Sequence, residues 1–389
     1  MKIGILSMHK VKNHGSFLQA YALMSVVKSI SDADVEFVDF DSRDGIKDPC
    51  KETYLRMTKS RFKFFIISCG AALTQIPLIG RLFAKNRRLR TWRNMISFFK
   101  LYSVRYEREF WKLLPFSNRT LSETDADLVI IGSDEVFNYK INSSVGYSDQ
   151  LFGAGGRAER MISFSACFGN TSVADISEET VRARLAGYLS CFDGISVRDK
   201  NSIENVRFLL GDDVVPEYHL DPVLHYSFER ELPKIRRRRP YVAVYSYDGL
   251  EIDAVESIEK YAKDRRLDVI CLHGYQSGFG EYIGASPFEV LAYIKNAECV
   301  FTNTFHGMVF SVKYNKRFCV RLTDSRQYSN TGKLGDLIER LNLGDRIAER
   351  AEDISGILDK EVDFTYANNY VLNVTENGTE YLKKHLAER

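Results

Sequence analysis

Apolar residues along this chain fall in short runs, each closed by small or polar residues and followed by a stretch of helical periodicity. Residues 2–8 form the first run and predict a strand; from residue 17, Leu18, Tyr21, Ala22 and Val26 fall on one face of a helix. Runs over 35–40, 127–131, 161–169 and 194–197 predict further strands. The run 127–131 is almost continuously apolar, as a central parallel strand buried on both faces requires. Helices are predicted from Ser177, with Glu178 and Glu179 in the opening turn, and over 202–210. After a polar stretch the rhythm resumes, with strands over 241–247, 269–272, 300–302 and 318–322. Helices are predicted over 251–265, 287–296, from His306, over 334–341 and over 370–386.

This alternation predicts an α/β fold of two Rossmann-like domains facing a cleft. The first domain covers 1–224, a linker 225–240, the second domain 241–350, and a tail with a final helix 351–389. Asp221 and Pro222 close the first domain, and Asp221 reads as a hinge residue. The run Arg236 to Arg239 suits a phosphate or, more simply, a solvated linker.

Charge changes the picture at one place. The net charge is +2, so no global field draws the chain to nucleic acid, yet Lys51 to Lys112 carries 15 Lys/Arg against 3 Glu. That segment is thus +12 and the remainder −10, and it marks a basic helical insertion over about 51–118 in the first domain. Its charge-free part, 64–80, contains Gln75 and Pro77 and is too interrupted for a membrane span. The insertion either packs on the protein with a solvated basic face or makes peripheral contact with an anionic membrane surface. The amino terminus reads as a buried strand, its apolar run being broken by His9 and Lys10. Seven scattered cysteines, with no Cys-x-x-Cys pair, predict a reduced cytoplasmic protein. No histidine spacing suits a metal, and no cofactor is expected.

Polar clusters recur where strands end: Asn13, His14 and Gly15; Ser133 and Asp134; Arg198 and Asp199; Tyr247 and Asp248; Asn303 to His306. In a doubly wound sheet such ends share one rim. His306 opens an apolar helix, where free N–H groups and the helix dipole favour an anion and a histidine can move a proton. Arg198 can fork onto carboxylate or phosphate, or pair with Asp199. Asp134 can act as a base or cap the turn after Gly132. Asn13 and Gln19 can bind a ligand or serve the turn and helix surface, and His273 reads as structural.

Six pieces of sequence, in order, resemble the polysaccharide pyruvyl transferases. They are 13–23, 131–138, 163–169, 196–200, 220–222 and 288–318, the last centred on Thr304, Phe305, His306 and Gly307. The resemblance implies a GT-B-like fold and phosphoenolpyruvate as co-substrate. It also implies a pyruvate ketal built on a sugar of a cell-surface polysaccharide or its lipid-linked precursor. His306 would then be the general acid and Asp134 the base. Arg198, Asn13, Gly15, Gln19, Ser133, Asn303 and Thr304 would line the substrate site. Glu135 and Phe137 stand where relatives often show Gln and Trp, and Asn303 and Thr304 where many show Asp and Ser. Some relatives carry an arginine just before the step that Phe305 and His306 occupy; Arg321 or Lys313 are the candidate replacements for its charge. A nucleotide-sugar glycosyltransferase of the same fold and a silent glycan-binding scaffold are the competing functions.

Overall fold

A computed structural model of the chain describes residues 1–41, 87–141, 146–322 and 331–387. The charge-free stretch 64–80 and the rest of the predicted insertion before residue 87 lie outside them. The first half is built on a parallel sheet. Strand β1 (Lys2–Leu6) leads through helix α1 (His14–Ile30) to β2 (Asp34–Asp39). Helix α2 (Arg87–Lys100), a π-helical run (Leu101–Phe110) and one 3-10 turn precede β3 (Phe116–Thr120). Then come β4 (Leu128–Asp134), β5 (Arg160–Ala166), α3 (Glu179–Leu189), β6 (Ser196–Val197), α4 (Lys200–Leu210), β7 (Glu217–Tyr218) and the short α5 (Pro222–His225). The strand order is β3-β2-β1-β4-β5-β6-β7, and every residue of β4 is buried.

The second half repeats the plan. It runs β8 (Tyr241–Tyr245), α6 (Ile252–Asp264), β9 (Asp268–Cys271), β10 (Glu281–Tyr282), α7 (Pro287–Asn296), β11 (Cys299–Thr302), α8 (Phe305–Lys313) and β12 (Phe318–Val320). Helices α9 (Thr331–Arg340), α10 (Asp353–Asp359) and α11 (Thr365–Ala387) follow. Its strand order is β10-β9-β8-β11-β12, again parallel throughout. The predicted α/β plan of two Rossmann-like units is therefore present. The short edge strands β3, β7 and β10 were not predicted, because two to five residues on a half-covered edge carry no apolar run. The final helix returns to the first half, where the Tyr381 hydroxyl donates to Ser163 O at 3.0 Å.

In each sheet the order reverses beside the first strand, between β1 and β4 and between β8 and β11. Such switch points open crevices at the strands' carboxyl ends. Helix α1 starts at one crevice and α8 at the other. They meet: a Cβ on Gly15 would lie 2.1 Å from His306 Nδ1.

The described part of the basic insertion packs on the second half through three of its arginines, while Lys100, Arg108 and Lys112 stay exposed. Arg90 donates to Gly278 O at 2.8 Å, Arg93 lies 3.8 Å from Glu281, and Arg105 binds Gly284 O. Asn94, fully buried, donates to Gly280 O at 3.2 Å and accepts from Tyr282 N at 3.1 Å. One side-chain amide thus stands in for a neighbouring strand along the edge of β10, which would otherwise bury unpaired backbone groups. Asn94→Ala is expected to lower stability by about 1–3 kcal/mol in urea unfolding, the cost of orphaning those two groups. Two residues of the arginine run pair with the second half as well, Arg237 with Glu281 at 2.8 Å and Arg239 with Asp268 at 3.1 Å, while Arg236 and Arg238 are exposed.

Candidate active site

Asn13 adopts an extended conformation and its Oδ1 accepts from Gly15 N at 2.7 Å, so α1 begins with the cap its sequence promises. Ser16, one residue on, donates to Asp134 Oδ2 at 2.7 Å. Gln19 is fully buried; its amide donates to Ser7 Oγ at 2.9 Å and to Ser16 O, and its oxygen accepts from Ser133 N at 3.2 Å. Ser133 Oγ donates to Ser165 O at 3.1 Å and accepts from Asp134 N. Gln19 and Ser133 therefore tie the ends of β1 and β4 together and set the position of Asp134.

At the facing crevice Thr304 caps α8, its Oγ1 accepting from Gly307 N at 2.9 Å. Asn303 Oδ1 accepts from Tyr247 N at 3.0 Å and ties two loop ends of the second sheet. His306, 8 % exposed, sits with its ring against Gly15 and its Nε2 3.4 Å from Asp221 Oδ2. Since no side chain fits between Gly15 and that ring, Gly15→Ala should displace His306. Turnover is expected to fall by at least about 100-fold, as misplacement of a reacting group by 1 Å does, with an unchanged far-ultraviolet dichroism spectrum.

Arg198 organises the centre. Its Nη1 donates to Asp221 Oδ2 at 2.6 Å and its Nη2 to Asp134 Oδ1 at 3.1 Å. Its guanidinium lies 4.4 Å from the centre of the Phe305 ring. The guanidinium is buried, and its Nε has no hydrogen-bond partner among the described residues. Burial pushes the Asp134 carboxyl up, but Arg198, His306 and Lys333 outweigh it and bring it to about 2. Asp221 likewise resists burial and ends below its ordinary value, through His306 and Arg198. The alternative pairing of Arg198 with Asp199 does not form: Asp199 caps α4, its Oδ1 accepting from Ser202 N at 2.8 Å.

Two site residues carried no sequence signal for the role they take. Asp221 does cap the helix opened by Pro222, through Oδ1 and Val223 N at 3.1 Å, but its Oδ2 faces Arg198 and His306. A cap before proline reads as structure, so the second oxygen was invisible. Lys333, on the first turn of α9, enters the same cluster and pairs with Glu135. Burial is the largest influence and lowers its ammonium, but Glu135, with Tyr247 and Cys167, together outweigh it and hold it above the ordinary range.

A family model described as polysaccharide pyruvyl transferase matches residues 13–325. The chain belongs to that family. No curated protein matches. Among solved structures, the Staphylococcus aureus MnaA–UDP co-structure is 7% identical, with 99% of this chain and 95% of that chain covered and a TM-score of 0.51. The UDP-GlcNAc 2-epimerase of Neisseria meningitidis, bound to UDP-GlcNAc, is 9% identical over the whole of both chains, with a TM-score of 0.47. The likeness to the first is one of fold, the GT-B-like pair of Rossmann domains.

In this pyruvyl transferase family member the two cations expected to replace the missing arginine are engaged elsewhere. Lys313, two turns beyond His306, donates to Tyr226 O and lies over the Phe228 ring; burial brings its ammonium down to about 8. Arg321 pairs with Glu251 at 2.6 Å and Asp253 at 3.5 Å. Both side chains follow secondary structure whose register turns them toward other partners. Lys333 is the cation that shares the electrostatic neighbourhood of Asp134 and Arg198.

Proposed function

We propose that this transferase moves the pyruvyl group of phosphoenolpyruvate onto two hydroxyls of a sugar, in a cell-surface polysaccharide or its lipid-linked precursor. The observation that carries the reading is the convergence of Arg198, Lys333 and His306 where the two crevices meet. The donor carries a carboxylate and a phosphate, and a forked guanidinium with a free Nε plus an ammonium suits those anions. The amino end of α8 adds backbone N–H groups to the same region.

His306 gives its proton to the donor's methylene, which becomes a methyl group, and the first sugar oxygen bonds to C2 as its hydroxyl proton departs. The second hydroxyl then replaces the phosphate at C2, its proton leaving on the departing phosphate, so donor and diol yield a ketal and inorganic phosphate. A carboxyl brought to about 2 is a weak base toward a hydroxyl, which favours Asp134 as the residue that holds Arg198. The imidazole left after proton donation is better placed to take the incoming hydroxyl's proton, with Asp221 steadying Nε2.

Peripheral contact with an anionic membrane is the remaining part of this reading. It rests on the +12 charge of residues 51–112, less Arg90, Arg93 and Arg105, which the second half engages. Among the described residues no helix is long and apolar enough to cross a membrane.

Phosphate release from phosphoenolpyruvate, measured with a panel of short and lipid-linked glycans, tests the reading. Phosphate release with pyruvate retained on a glycan is the expected result. Binding of a nucleotide sugar with no binding of phosphoenolpyruvate in calorimetry would overturn it in favour of a glycosyltransferase.

A further inference from the structure

We propose that Glu135 is an internal counter-ion for Lys333, a positioning residue that occupies the ammonium until the anionic donor displaces it and so sets donor affinity. The inference deepens the proposed function and rests on it. Glu135 follows Asp134 at the end of β4 in the first half, whereas Lys333 comes from α9 after the second sheet, so their ion pair spans the cleft. The carboxylate is held at both oxygens. Oε1 meets Lys333, and Oε2 accepts from Asn138 Nδ2 at 2.8 Å. Asn138 is fixed in turn, its Oδ1 accepting from Thr171 Oγ1 at 2.9 Å and Lys140 N at 3.0 Å. Gly169, at φ +58°, closes over this arrangement; a Cβ there would lie 2.5 Å from Asn138 Nδ2 and 2.8 Å from Glu135 Oε2.

Charge decides that one carboxylate must yield. Asp134, Glu135 and Asp221 face two permanent cations, Arg198 and Lys333, so a donor with both carboxylate and phosphate enters a cluster already rich in anions. Asp221 is fully buried and capped to backbone, and Asp134, 11 % exposed at its side chain, is held by Ser16 and Arg198. Glu135 is 26 % exposed, has the longer side chain and lies at the cluster's edge. It alone of the three can swing away without leaving a buried charge unpaired. An enzyme whose Lys333 is competent only in the open fraction binds its donor more weakly by that fraction.

Calorimetric titration with phosphoenolpyruvate tests this on the full chain and its variants. Glu135→Gln is expected to bind the donor about tenfold more tightly than the parent. Lys333→Met should remove that gain, so that the double variant binds no better than Lys333→Met alone. Unchanged or weaker binding by Glu135→Gln overturns the proposal, since a merely structural side chain cannot improve affinity when cut back. A second readout needs no donor: the rate at which acetic anhydride modifies Lys333, followed by peptide mass spectrometry. Faster modification in Glu135→Gln, and in Glu135→Asp as a more conservative variant, supports the counter-ion role; equal rates overturn it. If the parent binds no phosphoenolpyruvate, the proposed function falls and the modification rates alone judge Glu135.

Discussion

Arg198→Met is expected to abolish turnover and to weaken the fold at neutral pH. Methionine keeps the length and packing against Phe305 but removes the charge that holds Asp221 Oδ2 at 2.6 Å and Asp134 Oδ1 at 3.1 Å. Two buried carboxylates then lose their counter-ion, which costs about 3–5 kcal/mol in denaturant unfolding. The pH dependence has a definite sign. Both carboxyls are held below their ordinary values in the folded protein, so their stabilisation is present above about pH 4 and lost as pH falls toward 2. The deficit of the variant should therefore be largest near neutrality and shrink as pH falls, because buried carboxyls without that counter-ion take up protons at higher pH than the paired ones do. Arg198→Lys should recover part of the stability and little of the activity, because an ammonium cannot fork to both carboxylates and the donor. A deficit independent of pH would show that packing, and not the ion pairs, is what Arg198 supplies.

His306→Gln is the second large effect, and it separates chemistry from binding. Glutamine fits beside Gly15 and keeps hydrogen-bonding capacity near Asp221 but cannot transfer a proton. Phosphate release should fall by about 10²–10⁴, the range for losing a positioned general acid. Donor affinity in calorimetry should stay within about threefold, because Arg198 and Lys333, the anion ligands of the proposed function, are unchanged. Near-normal turnover would remove His306 from the acid role. A matching loss of affinity would instead make it an anion ligand.

Asn13, Ser133, Asp134, Arg198, Thr304 and His306 were legible as candidates because each stands at a strand end or helix start, where geometry concentrates polar groups. Their individual tasks were less visible. Gln19 and Thr304 read as ligand contacts, yet each satisfies a local backbone or scaffold group, as Ser, Thr, Asn and Gln side chains near turns do. Arg321 and Lys313 were sought near His306 in sequence, but nearness in sequence does not govern which face of a strand or helix a side chain takes.

By itself the sequence determined the α/β alternation, the two parallel sheets, the strand-end rim that gathers the polar clusters, and the family. These follow from short-range periodicity and from caps, which neighbouring residues dictate. Tertiary structure alone decided that Gly15 lies under His306, that Asp221 joins the site, that Lys333 is its second cation, and that the insertion grips the edge of β10. Those pairings join residues between 85 and 291 positions apart. They arise because burying both faces of each sheet brings the two crevices together, and charges excluded from water must then find each other.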